Sequence, residues 1–185
     1  MFFIFGGPFG TLNDIANATV GILSAVLAWQ WFLIAPKSKS GRLAVAAAVV
    51  GAGVMTIGSV LVMFDVTGWY LAGLLSAVGG ALIGWWLLAA NRVGAHAPKL
   101  PPRLLWLGVA AGSVMLLGLL AIPAVLGGVD DWESAPWYVT IAQLNWLGTY
   151  LLYPAWCIQT AAKLDHGRRV AAQRQSSRVH RSTRG

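Results

Sequence analysis

Between Pro136 and Thr160 the chain collects the side chains best able to hold a ligand in an apolar setting. At about 100° per residue, a helix here places Asn145, Thr149, Tyr153 and Trp156 in one stripe, with Gln143, Trp146 and Tyr150 beside it. Leu144, Leu147, Leu151 and Ile158 fall on the opposite side. Aromatic rings offer contact area and amides fix orientation, so Gln143, Asn145, Trp146, Thr149, Tyr150 and Tyr153 form a candidate groove for a lipophilic small molecule. The same groups suit hydrogen bonding between packed helices, and both readings stand at this stage. Trp146 is the tryptophan expected near mid-membrane; the others lie close to span ends, where an aromatic belt is the ordinary explanation.

Catalytic chemistry has much less to work with. An ionisable residue at the centre of a bilayer costs about 2.5–3.5 kcal/mol or more and marks function when it occurs. No expected span carries one there. His96, His166 and His180 fall in a link or the tail, which removes a bis-histidine haem; Lys37, Lys39, Lys99 and Lys163 are likewise outside, which removes a Schiff base. The single cysteine, Cys157, excludes an intrachain disulfide and a multi-cysteine metal site, and it has no paired base. No HExxH, phosphate-binding glycine loop, CxxC or Gly-x-Ser-x-Gly element is present. The expectation is a non-enzymatic chain with no catalytic residues, no metal and no cofactor. Asp14, spaced from Thr11 as in a capping box, reads as a helix cap, and Asp65 as a solvated turn; a cation entrance is the alternative for both. Asp130, Asp131 and Glu133 read as a solvated loop.

The elements that position these residues follow from composition. Of 185 residues, 57% are hydrophobic and 10% charged, against about 25% charged in a typical soluble domain. This pattern predicts an all-α, polytopic membrane protein, an antiparallel bundle of five transmembrane helices over residues 1–162 with spans near 13–35, 43–64, 69–90, 104–127 and 136–158. Residues 1–10, broken by glycine and proline, are expected as an interfacial lead-in. The fifth span is expected at the centre, with the others packed around it. Small residues mark the helix contacts: Asn17 and Gly21 on the first span, Gly51 on the second, Ser76, Gly80 and Gly84 on the third, Gly108 and Gly112 on the fourth. Asn17 is expected to bond across to Thr140 or Gln143, which lie at similar depth.

All 13 Lys and Arg residues fall in the first loop, the third loop or the tail at 163–185, and the acidic loop falls on the other side. Since Lys and Arg are retained on the cytoplasmic side, this pattern requires an odd number of crossings, with the N-terminus outside the cell membrane and the C-terminus inside. The net charge of +7 therefore reflects topology, and nucleic acid is not expected as a partner. Arg168, Arg169, Arg174 and Arg178 are expected to lie along the anionic lipid surface. Glycine seams beyond what a bundle needs suggest a structural, assembly or self-associating subunit with a homo-oligomeric or membrane-protein partner; binding or carrying a lipophilic molecule is the alternative.

Five expected spans, few charges and ten tryptophans resemble, in composition, the tryptophan-rich sensory (translocator) family of porphyrin- and sterol-binding membrane proteins. That family's proline- and tryptophan-rich loop after the first span is replaced here by APKSKSGR, and no residue roles are carried over.

Overall fold

The computed structural model describes residues 8–34, 38–92 and 100–165, and all regular structure among them is helical. The long elements are α1 (Pro8–Ile34), α2 (Lys39–Met63), α3 (Trp69–Arg92) and α4 (Pro102–Leu116). A 3₁₀ stretch, Leu117–Ala121, continues α4 into α5 (Ile122–Leu126). Beyond the acidic loop come α6 (Trp137–Ala142), α7 (Asn145–Leu147), a π-helical turn (Gly148–Leu152) and α8 over 153–165. Four helical stretches, Gly10–Leu33, Lys39–Met63, Trp69–Arg92 and Pro102–Leu126, are long and apolar enough to cross a membrane. Arg168, Arg169, Arg174 and Arg178, with the rest of the tail, lie outside the described residues.

Local chemistry accounts for most boundaries. Ser38 caps α2 by accepting the Gly41 N–H at 3.0 Å. The helix ends where Asp65 adopts φ 54°, with Asp65 N–H to Val62 C=O and Val66 N–H to Leu61 C=O closing the last turn. Gly128, at φ 67°, ends α5 with the same pair of bonds, from Gly128 to Val125 and from Val129 to Ala124. Pro102 stands in the first turn of α4, where its missing N–H leaves no helical bond unmade.

Three sequence expectations change here. Helix α1 begins at Pro8, so Thr11 and Asp14 lie within its early turns and form no capping box; residues 8–10 belong to the helix and not to a broken lead-in. Second, the segment expected as one span at 136–158, bent at most at Pro154, is helical in pieces. Its hydrogen bonds tighten to three-residue spacing at Leu144, Trp146 and Leu147, then widen to π winding through Leu152, two residues before Pro154. Proline lacks an N–H and crowds the carbonyl four residues earlier, so the backbone around it must rewind. Third, the central element is α3. Of its apolar stretch 67% is buried within the protein, against 28%, 39% and 33% for the other three long helices.

The small residues explain why α3 can sit at the centre. Gly51 of α2 meets Gly79 and Ile83 of α3, while Gly58 meets Ala72; a Cβ on Gly51 or Gly79 would run into the other's carbonyl. On another side Gly84 meets Gly112 and Met115 of α4, and Gly118 abuts the Ala77 carbonyl. Gly21 of α1 approaches Ala52 and Thr56 of α2. Without a hydrophobic drive between helices in lipid, such backbone approach is what gains van der Waals contact.

Two apolar clusters divide the core. One joins Trp31, Trp86, Leu104 and Trp156 with the α2 alanines; the other joins Tyr70, Leu74, Ala121, Val139 and Ala142. Lys39, Arg42, Arg92, Arg103 and Lys163 sit at the helix ends flanking the first cluster, and Asp14, Asp65, Asp130, Asp131 and Glu133 at those flanking the second. These are the basic and acidic ends of the molecule.

Candidate functional site

At the acidic end, α1, α3 and the segment 143–150 border a partly open cavity of about 190 Å³. Helix α1 turns Asn13, Asp14 and Asn17 toward it, one helical turn separating the two asparagines. The first turn of α3 supplies Trp69 and Tyr70, whose rings meet edge to face at 5.5 Å, and Tyr70 meets Trp132 of the acidic loop at 6.1 Å. Gln143, Trp146 and Tyr150 close the third side, and a Cβ added at Gly73 would just reach the Trp146 ring, at 3.9 Å. Ser59 and Ser76 add hydroxyls.

Two hydrogen bonds tie these walls together. The Tyr150 hydroxyl donates to Asn17 Oδ1 at 2.6 Å, and Gln143 Nε2 donates to the Tyr70 hydroxyl at 3.4 Å. Asn17 therefore does join α1 to the last helical segment, but through Tyr150. Thr140 is exposed, and Gln143 is engaged by α3.

The six residues proposed from the sequence as one groove divide into two groups. Gln143, Trp146 and Tyr150 line the cavity. Asn145, Thr149 and Tyr153 are buried in helix contacts. The Asn145 amide donates to the Met115 carbonyl of α4, just before that helix tightens to 3₁₀ winding, and Asn145 Oδ1 accepts the Thr149 hydroxyl at 3.0 Å. Gly80 faces both of these side chains. The Tyr153 hydroxyl donates to Ser24 Oγ at 3.0 Å, and Ser24 in turn donates to the Val20 carbonyl at 2.6 Å. The split follows the two adjacent stripes that helical spacing gives this segment: the one holding Gln143, Trp146 and Tyr150 faces the cavity, and the one holding Asn145, Thr149 and Tyr153 faces neighbouring helices.

Other tryptophans depart from the belt reading. Trp86 and Trp156 are 1% and 0% exposed, and Trp156 meets the rings of Trp31, Trp86 and Tyr153 at 6.3–6.5 Å. Trp156 Nε1 donates to Asn91 Oδ1 at 3.3 Å, and Asn91 Nδ2 donates to the Leu87 carbonyl at 2.8 Å. Asn91 packs against Gly108, which explains the glycine there. Trp29, Trp69, Trp85, Trp106, Trp132 and Trp137 remain surface-exposed.

The acidic loop is also more than a solvated run. Asp130 reaches back to α3, its carboxylate accepting the N–H groups of Gly68 at 2.7 Å and Leu71 at 2.9 Å. A side chain at position 68 would collide with that carboxylate. An N-cap drawn from some sixty residues away leaves no local sequence signature, whereas Gly68 just before an apolar run was the one visible hint. Asp131 accepts the Ser134 N–H at 2.6 Å and its hydroxyl at 2.8 Å; these bonds, the backbone one foremost, hold its carboxyl below the usual 3.8.

Chemically, the cavity offers amide and hydroxyl hydrogen bonds, aromatic walls and one carboxylate, Asp14. It brings together no nucleophile with a base, and among the described residues no three His, Cys, Asp or Glu side chains gather at one point. The fold and cavity define a helical protein whose long helices are compatible with a multi-pass membrane protein. No protein-family model matches the chain, and neither does any curated protein or solved structure.

Proposed function

We propose that this chain is a non-enzymatic integral membrane protein, an antiparallel bundle of five crossings, that binds a small amphipathic molecule in the acidic-end cavity. The N-terminus and the cavity face the exterior, and the basic end faces the cytoplasm, with the arginine-rich tail on anionic lipid. The observation that carries the binding reading is a partly open cavity of about 190 Å³ with amide, hydroxyl and aromatic walls at one end of a largely apolar bundle. A dry cavity of about 150 Å³ is large enough for benzene, so this space suits a single ring with a short polar substituent.

The competing reading, a structural or self-associating subunit, requires glycine seams left over for a partner. Gly51, Gly80, Gly84, Gly108 and Gly112 each meet a neighbour within this chain, and that favours the cavity over self-association.

The test uses the full-length protein in phosphatidylcholine nanodiscs, titrated with three one-ring probes (phenethylammonium, 2-phenylethanol and phenylacetate) against empty nanodiscs. Saturable change in tryptophan fluorescence with at least one probe, lost on Trp146→Phe combined with Tyr150→Leu, is the expected result. No saturable response to any of the three sinks the binding reading.

A further inference from the structure

The cavity's charge is one-sided. Asp14 is its single carboxylate, and no Lys, Arg or His lines it. The described basic residues Lys39, Arg42, Arg92, Arg103 and Lys163 all lie at the opposite end of the molecule. Around the acidic end stand Asp65, Asp130, Asp131 and Glu133, so the local field repels anions and concentrates cations. Asp130 is partly occupied by the α3 N-terminus and Asp131 by Ser134; Asp14, with a side-chain hydrogen bond from the neighbouring Asn13, is the one that borders the cavity itself.

Aromatic faces add a second preference in the same direction. Trp69, Tyr70, Trp146 and Tyr150 contribute to the walls. Such rings attract an organic ammonium through their quadrupoles, while a bare metal ion would leave most of this lining unused. The neutral partners Asn13, Asn17 and Gln143 offer carbonyl oxygens that accept from ammonium N–H groups.

Resting on the binding reading above, we infer that the ligand is a small organic monocation, an ammonium on an aromatic or aliphatic body, with the charge at Asp14 and the apolar part against Trp146. Both halves of such a molecule are matched by the lining; an acid of the same size meets Asp14 with like charge, and a neutral alcohol can donate one hydrogen bond to it but brings no opposite charge.

The order of affinities within the three-probe panel tests this separately from binding itself. Phenethylammonium is expected to bind at least tenfold tighter than 2-phenylethanol, with phenylacetate weakest. Asp14→Asn is expected to reduce the ammonium-to-alcohol affinity ratio at least tenfold, and Asp14→Glu to retain most of it. Saturable, Trp146-dependent binding in which the alcohol or the carboxylate equals the ammonium overturns the charge assignment and leaves the cavity reading standing. A preference for the ammonium that survives Asp14→Asn overturns the role of Asp14. Silence from all three probes removes both readings. Should Asp14→Asn fail to fold, the order of the three probes on the unaltered protein still decides.

Discussion

Asn145 shows how a polar side chain inside an apolar bundle becomes structural. Its amide bonds the Met115 carbonyl, its oxygen takes the Thr149 hydroxyl, and it is 1% exposed. Gly80 and Gly118 leave room for it. Asn145→Leu removes both bonds and overfills the space, and is expected to destabilise the protein by about 1–2 kcal/mol, read as a lowered midpoint in denaturant titration of the nanodisc or micelle-embedded protein. Thr149→Val, which loses one bond and nearly preserves volume, is expected to cost less. An unchanged midpoint for Asn145→Leu would contradict the interhelical role given to it. Asn17 and Tyr150 differ in kind, because their bond forms the edge of a cavity and not the middle of a seam.

At the scale of elements, α3 organises the molecule through glycine on two sides. Gly79 faces α2 and Gly84 faces α4, each within overlap distance of the neighbour's backbone once a Cβ is added. Gly84→Leu is therefore expected to lower stability by about 1–3 kcal/mol or to prevent folding, since overpacking forces backbones apart. Gly53→Leu makes the informative control, because position 53 faces open space and is exposed on α2. Parallel thermal unfolding of the two variants distinguishes a seam inside the chain from one reserved for a second copy: equal loss from both would contradict the assignment. The last helical segment is the other organising feature. It turns the stripe of Gln143, Trp146 and Tyr150 to the cavity and the stripe of Asn145 and Thr149 to α3 and α4.

For the whole molecule, the separation of charge carries the topology proposal. The bonds that Asp130 accepts from Gly68 and Leu71 bring the acidic loop to the start of α3, and the Trp156–Asn91 bond, with Asn91 packed against Gly108, brings the basic links together at the far end. A reporter fused after Gly185 is expected to be protected from external protease, and a cysteine placed at Glu133 to be labelled by a membrane-impermeant maleimide in intact cells, the lone native Cys157 having been replaced by alanine. Labelling only after permeabilisation would reverse the orientation.

Helical class, the four long apolar elements and the sidedness of charge were legible in the sequence because each depends on local composition or on a count along the chain. The small residues Gly51, Gly84 and Gly112 were also legible as contact points, since only close backbone approach explains glycine at helical spacing within an apolar run. Tertiary structure alone decided which helix lies at the centre and which partner each glycine meets. It also decided that Asp14 borders a cavity where the sequence suggested a cap, and that Asp130 caps a helix from across the fold. The physical reason is the same in each case: residue types fix what a side chain can bond to, but which groups come within bonding distance depends on how helices cross and where a helix rewinds. A periodicity of 100° per residue is blind to both.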